Sequence, residues 1–186
     1  MRITDKTLPT IAAFAREGRV VVFDTETTGC SRWDEICQIA AAEYVCGSLT
    51  RTFNLYVRPT CRMSPGAEAV HGLSMEFLAE NGIAPTEAMR RFFDFVGRDV
   101  LLVAHNATFD LRMLNTECEK FGLLFVPEGL ETCDTLSLSR KFRPDLRSHA
   151  LANLIGALGI DAVNSHDALD DTLACAGVFF KLLGQA

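Results

Sequence analysis

Residues 19–29 read RVVVFDTETTG. Val20 to Phe23 form an unbroken apolar run rich in β-branched side chains, which is how a strand buried on both faces is written. The run gives way to a polar turn at Thr27-Thr28-Gly29. The stretch therefore predicts a central strand over Arg19–Thr25. Asp24 and Glu26 lie two apart at its end. In an extended chain, residues i and i+2 face the same way, so the two carboxylates are presented together. Acids seldom gather at the edge of a core without a partner. A hard divalent cation such as Mg²⁺ or Mn²⁺ is a natural one. A single D-x-E pair is also what a solvated strand end looks like, so the pair needs company before it means chemistry.

Working outward, Leu8–Arg16 reads as a short amphipathic helix before the strand. Ile36–Val45 and Thr50–Val57 read as two further strands, with Gly47 and Ser48 in a hairpin turn between them. Helices are expected at Ser74–Glu80 and Pro85–Val96, then a strand at Val100–Ala104. Ala107–Phe121 reads as a helix closed by Gly122 at its C-cap. A short strand at Glu131–Thr135 precedes helices at about Leu136–Lys141, His149–Ala157 and Ala168–Leu183. Hairpin strands followed by strand–helix alternation define an α/β domain on a mixed sheet.

Two further groups share this edge chemistry. In AHNATFD, residues 104–110, Asn106 is placed to cap the helix that follows. Asp110 then falls in its first turn, where the helix dipole favours an anion. Open α/β sheets put their sites at the C-terminal edge of such strands. In SHDALDD, residues 165–171, Asp167 is a plausible N-cap for the last helix and Asp170 falls at N3. His166 and Asp171 are five apart, about 140° around an ideal helix, so both cannot share one helical face. His166 is therefore expected on the loop just before the helix, where a base can swing toward a site.

The remaining composition is that of an ordinary globular chain. One domain spanning residues 1–186 is expected, able to bury roughly 70% of its unfolded surface. The net charge of −6 argues against tight binding of long duplex DNA, which calls for a basic face. It is compatible with an enzyme that holds a chain end and leaves most of the grip to a partner. Seven cysteines stand at 30, 37, 46, 61, 118, 133 and 175 with no C-x-x-C pair, so a thiolate zinc site is not expected and reduced thiols are. No targeting peptide and no apolar run of membrane-spanning length are present, which points to a cytoplasmic protein without a membrane. Arg140, Lys141, Arg143 and Arg147 form the one dense basic stretch, read as a solvated helix end or a phosphate contact.

Taken together, FDTETTG at 23–29, AHNATFD at 104–110 and HDALDD at 166–171 closely resemble the three motifs of the DEDDh 3′→5′ exonuclease family, typified by the proofreading subunit of bacterial replicative DNA polymerases. The resemblance continues through VRP at 57–59, VHGLS at 70–74, CDTL at 133–136 and HALANLIGALGI at 149–160. The sister DEDDy group carries Tyr four positions before the final Asp. Here that position is Asp167, and the only tyrosines are Tyr44 and Tyr56.

The resemblance implies an RNase H-like α/β fold, a five-stranded mixed sheet with helices on both faces. It implies Asp24, Glu26, Asp110 and Asp171 as ligands of two divalent cations, Mg²⁺ or Mn²⁺, and His166 as the general base. Imidazole ordinarily titrates near pH ~6.5, which suits that task. Thr27, His71, Leu73, Asn106 and Phe109 are implied as the pocket for the terminal nucleotide. The expected substrate is a nucleic acid 3′ end, single-stranded DNA favoured, with nucleoside 5′-monophosphates as products. RNA is the alternative substrate, and a non-catalytic binding module the alternative class; the latter usually loses a ligand, whereas all five residues are present. The expected partner is a polymerase catalytic subunit or another DNA-processing complex. A free-standing trimming enzyme, or one recruited by another nucleic-acid complex, stays open beside the polymerase partner, as does the C-terminal extension that often tethers proofreading subunits.

Overall fold

The computed structural model describes residues 3–123 and 130–184. A five-stranded sheet runs in the order β3-β2-β1-β4-β5. β1 (Arg19–Thr27) is central, antiparallel to β2 (Ile36–Val45) and parallel to β4 (Val100–Ala104). β3 (Ser48–Tyr56) pairs antiparallel with β2 at one edge, and β5 (Leu130–Asp134) pairs parallel with β4 at the other.

The two-residue period of β1 divides the core. Val20 and Val22 face a cluster built with α1 (Leu8–Glu17), α6 (Thr135–Phe142), α7 (Leu151–Leu158) and α8 (Ala168–Leu183). Val21 and Phe23 face the opposite cluster, built with α4 (Pro85–Val96) and α5 (Ala107–Phe121). Helices thus cover both faces, the mixed-sheet α/β architecture of the RNase H-like fold. The same parity carries on to the site: Asp24 and Glu26 continue the Val20–Val22 side, while Thr25 continues the Val21–Phe23 side. No helix among the described residues is long and apolar enough to cross a membrane.

Most element positions agree with expectation to within one or two residues, and three readings need correction. The hairpin turn is Cys46-Gly47, not Gly47-Ser48, and β3 begins at Ser48. Both turn residues have positive φ, 49° and 78°, as the type I′ hairpin demands. A short helix, α2 (Pro65–His71), was not anticipated. It is capped by Ser64, whose side chain accepts from Ala67 N, and opened by Pro65 at its first position. Finally, Asn106 occupies the N-cap position of α5 with φ 62°, but its side chain makes no cap hydrogen bond. A residue from another strand caps this helix, as described next. The remaining helix, α3 (Met75–Asn81), is capped by Ser74, whose side chain accepts from Phe77 N.

Candidate active site

Four elements converge at the C-terminal end of β1. The strand itself delivers Asp24 and Glu26. α5 delivers Asp110, 2% exposed, whose Oδ1 accepts a 2.7 Å hydrogen bond from Thr25 Oγ1. α8 delivers Asp171, 5% exposed. The loop before α8 delivers His166, held at φ 58° and exposed.

The helices and the loop are held by polar residues, two of them, Asp134 and Gln38, buried. Asp134, at the end of β5, accepts from Asn106 N (2.9 Å) and Ala107 N (3.3 Å) of α5 and from Leu136 N (3.1 Å) and Ser137 N (3.2 Å) of α6. One carboxylate therefore closes two helix N-termini and replaces the cap expected from Asn106. At α8, Asp167 is the cap, accepting from Leu169 N and Asp170 N as anticipated. Asp167 is held in turn by Gln38 of β2, which is fully buried. Gln38 Nε2 donates to Asp167 Oδ2 (2.9 Å) and Asn54 Oδ1 (3.1 Å), and its Oε1 accepts from Ala168 N (3.3 Å). On the other side of His166, Asn164 Nδ2 and Ser165 N donate to the two oxygens of Asp171 at 2.5 and 3.1 Å. Asp134 and Gln38 were not anticipated as site residues. Gln38 carried a faint signal, being polar within the apolar run ICQIAAA; its register partner is Glu26.

The electrostatics show a site short of positive charge. Burial first, then the neighbouring Asp110, Glu26, Asp171 and Asp167, push the Asp24 carboxyl well above the ordinary carboxylate range. Burial and then Asp171 and Asp110 raise Glu26 to about 8. Burial raises Asp110 to about 7, against the pull of the Thr25 hydrogen bond, and it also raises Asp171. Carboxylates buried beside one another, each raising its neighbours, fit a hard divalent metal. Carboxylate oxygens of Glu26 and Asp171 and a ring nitrogen of His166 lie within 4.8 Å of one another.

The other three histidines are engaged within the fold. His71 Nε2 donates to Thr27 O (3.2 Å) while its Nδ1 accepts from Leu73 N (3.0 Å), which defines a neutral tautomer; burial lowers its pKa accordingly. His105 Nδ1 meets Thr135 Oγ1 at 2.9 Å, and His149 Nδ1 meets Ser139 Oγ at 3.0 Å. The His166 ring is hydrogen-bonded to none of the described residues.

Beside Glu26 a cleft of about 350 Å³ opens, walled by Thr27, Gly29, Cys30, Val70, His71 and Phe109. Of the five residues expected to hold a terminal nucleotide, Thr27, His71 and Phe109 line it. Leu73 and Asn106 do not line it: Leu73 donates its backbone N–H to His71 Nδ1, and Asn106 lies exposed at the start of α5. In the basic stretch, Lys141 pairs with Asp5 and Arg143 with Asp145, so two of its four charges are answered locally.

The sheet order and the helices on both faces are those of the RNase H-like fold, with the acids gathered at the C-terminal end of its central strand. Comparison with known proteins gives the family: the RNase_T exonuclease model matches residues 21–179, and the chain belongs to that family, among the DnaQ-like 3′→5′ exonucleases. It is 33% identical over 168 residues to the PolC-type DNA polymerase III of Caldanaerobacter subterraneus subsp. tengcongensis, and 33% over 173 residues to that of Staphylococcus aureus. These matches take in 90% and 91% of this chain but only 12% of each polymerase. Among solved structures, the zinc-bound complex of E. coli exonuclease I with single-stranded DNA superposes with a TM-score of 0.80 at 21% identity, over 90% of this chain and 40% of that one. Exonuclease X in complex with 5′-overhanging duplex DNA gives 0.72 at 22%, over 90% and 92%.

The raised carboxyl pKa values set a sign for stability. An acid whose pKa is higher in the folded state favours folding while protonated, and that contribution is lost as pH rises from its ordinary value through the folded one. Without metal, the fold is therefore expected to weaken between about pH 4 and pH 8, the interval ending at the value for Glu26. Millimolar Mn²⁺ is expected to raise the melting temperature relative to EDTA, and to raise it more at pH 8 than at pH 5. A ligand at a hundredfold excess over Kd contributes about 2.7 kcal/mol. Equal melting temperatures with and without Mn²⁺ at pH 8 would count against a preformed carboxylate site.

Proposed function

We propose that this chain is a single exonuclease domain that removes nucleotides one at a time from the 3′ end of single-stranded DNA, releasing nucleoside 5′-monophosphates. Asp24, Glu26, Asp110 and Asp171 hold two divalent cations, Mg²⁺ or Mn²⁺, and His166 is the general base. The observation that carries this reading is the single unengaged imidazole, presented within 4.8 Å of Glu26 and Asp171. These four carboxylates would hold the cations, which when bound would supply charge stabilisation at the attacking and leaving oxygens.

The chain's own residues do the rest. His166 accepts the proton of the attacking water, and the acidic side chains around it stabilise the imidazolium that results. Its place on a loop lets it approach and withdraw, while Asn164, Ser165 and Gln38 limit how far the loop strays. The terminal nucleoside lies in the cleft against Phe109, with Thr27 and His71 as wall and Leu73 and Asn106 flanking. The Thr27 hydroxyl is spent on Gly29 O (2.7 Å) and both His71 nitrogens are spent on backbone. These residues therefore shape the cleft without reading base edges, which suits an enzyme that must accept every base.

The PolC-type relatives favour work beside a polymerase catalytic subunit or within another DNA-processing complex, and the acidic balance favours a partner that supplies grip. Free thiols at all seven cysteines suit a cytoplasmic setting. The deciding experiment compares hydrolysis of 3′-labelled single-stranded DNA and RNA in Mg²⁺ and in Mn²⁺. Release of labelled 5′-mononucleotide from DNA at the higher rate is expected. Faster release from RNA would reassign the substrate, and release of internal fragments would remove the exonuclease assignment.

A further inference from the structure

The loop between β1 and β2, residues 28–35, leads away from the far wall of the cleft and carries the chain's single tryptophan. Trp33 is 71% exposed. The loop beneath it is nevertheless firmly built. Ser31 Oγ accepts from Trp33 N (3.1 Å), and Asp34 accepts from Ser31 N (2.6 Å) and Thr28 Oγ1 (3.2 Å). Thr28 N donates to Glu35 O (2.8 Å), and Arg112 Nη2 reaches across from α5 to Cys30 O (3.1 Å). A Cβ on Gly29 would meet the Asp34 carboxylate at 2.7 Å, so the loop closes on itself with no slack. A rigid support thus holds a large aromatic ring in water, where a tryptophan forgoes the burial its surface favours.

The ring is also dressed for a particular kind of guest. The Arg32 guanidinium lies 4.4 Å from its centroid. Trp33, Arg32 and Asp34 face Thr116, Glu119 and Lys120 of α5 across a groove of about 490 Å³. Along α5, Phe109, Arg112 and Thr116 follow one another on one face, at spacings of three and four. Arg112 lies over the Phe109 ring at 5.2 Å and bonds to Cys30, which ties α5 to the loop beside the cleft. An aromatic ring paired with a guanidinium is the usual platform for an unpaired nucleobase.

Which base reaches it follows from the chemistry of the cut. A 3′→5′ exonuclease breaks the linkage on the 5′ side of the last nucleotide. The scissile phosphate then sits at the carboxylates and the terminal nucleoside in the cleft beyond. The body of that strand leaves from the carboxylate end. Gly29 and Cys30 line that cleft, and the loop they begin carries Trp33 on to a groove with no lining residue in common with it, so a base seated there is not the terminal one. We propose that Trp33 and Arg32 stack an unpaired base of the strand opposite the one being cut, when the 3′ end is presented by a duplex. This rests on the reading of the cleft as a 3′-end site.

The sole tryptophan is its own reporter. In Mn²⁺, a duplex with a recessed 3′ end, a 5′ overhang and a phosphorothioate at its last linkage is expected to quench Trp33 fluorescence; the single strand alone is not. Trp33→Ala is expected to raise KM on the recessed duplex about five- to a hundredfold, the usual worth of one stacked base. Cleavage of the single-stranded oligonucleotide by the same variant is expected to match wild type, and Trp33→Phe to recover part of the loss. Absence of quenching by the duplex, an unchanged KM on it, or an equal loss on the single strand would each overturn the proposal. Wild-type protein that quenches with duplex yet cleaves neither substrate would instead overturn the reading of the cleft while supporting the stacking site.

Discussion

Asp24→Ala is expected to lower exonuclease turnover by several orders of magnitude, on the scale of removing a ligand common to both cations. The same substitution is expected to leave the metal-free fold as stable as wild type at neutral pH, or more so. The Asp24 carboxyl is raised by burial and then by Asp110, Glu26 and Asp171. Removing it relieves desolvation and repulsion together. The two outcomes part company, which makes the test specific: activity collapses while the EDTA melting temperature holds, and the stabilisation by Mn²⁺ shrinks. Retention of more than about a tenth of wild-type activity would place the metal site elsewhere.

His166→Ala is expected to cost roughly 10²–10⁴-fold in turnover, the usual contribution of a positioned base. Mn²⁺ affinity is expected to change little, because four carboxylates remain. The geometry makes the calorimetric arm essential, since a ring nitrogen of His166 lies within ligand distance of Glu26 and Asp171. If titration of Mn²⁺ into His166→Ala shows a lost cation, the residue is a ligand rather than a base. Wild-type turnover in the variant would remove it from the mechanism.

How far the sequence reached depends on the range of the interactions involved. β1, α4, α5 and α8 were legible because their apolar period, their Gly122 cap and their Asp167 cap lie within a few residues of the features they explain. The acids were legible because local geometry puts each at a strand end or a first helical turn. The Cys46-Gly47 turn was missed because cysteine seldom takes a positive φ, and α2 because it is seven residues long with a glycine inside. What local pattern could not reveal are the long-range supports. Asp134 closes a helix that begins 27 residues before it, and Gln38 holds a cap 129 residues away. Both read as ordinary polar residues until the sheet brings their partners to them.

The pairing of a central strand with an exposed loop has a further consequence. Asp24 and Glu26 belong to β1, hydrogen-bonded on both sides, whereas His166 rides a segment without secondary structure. Local opening free energies run from near zero at such segments up to the global value in core strands. The reaction centre therefore straddles two cooperative units. Mild denaturant would disarm the base while the acids stay in place, and amide exchange would see the two halves protected by different amounts. On the proposed mechanism, such a protein is expected to keep its cation and strand-end binding while losing turnover, so that inactivation precedes unfolding and reverses when the loop recloses.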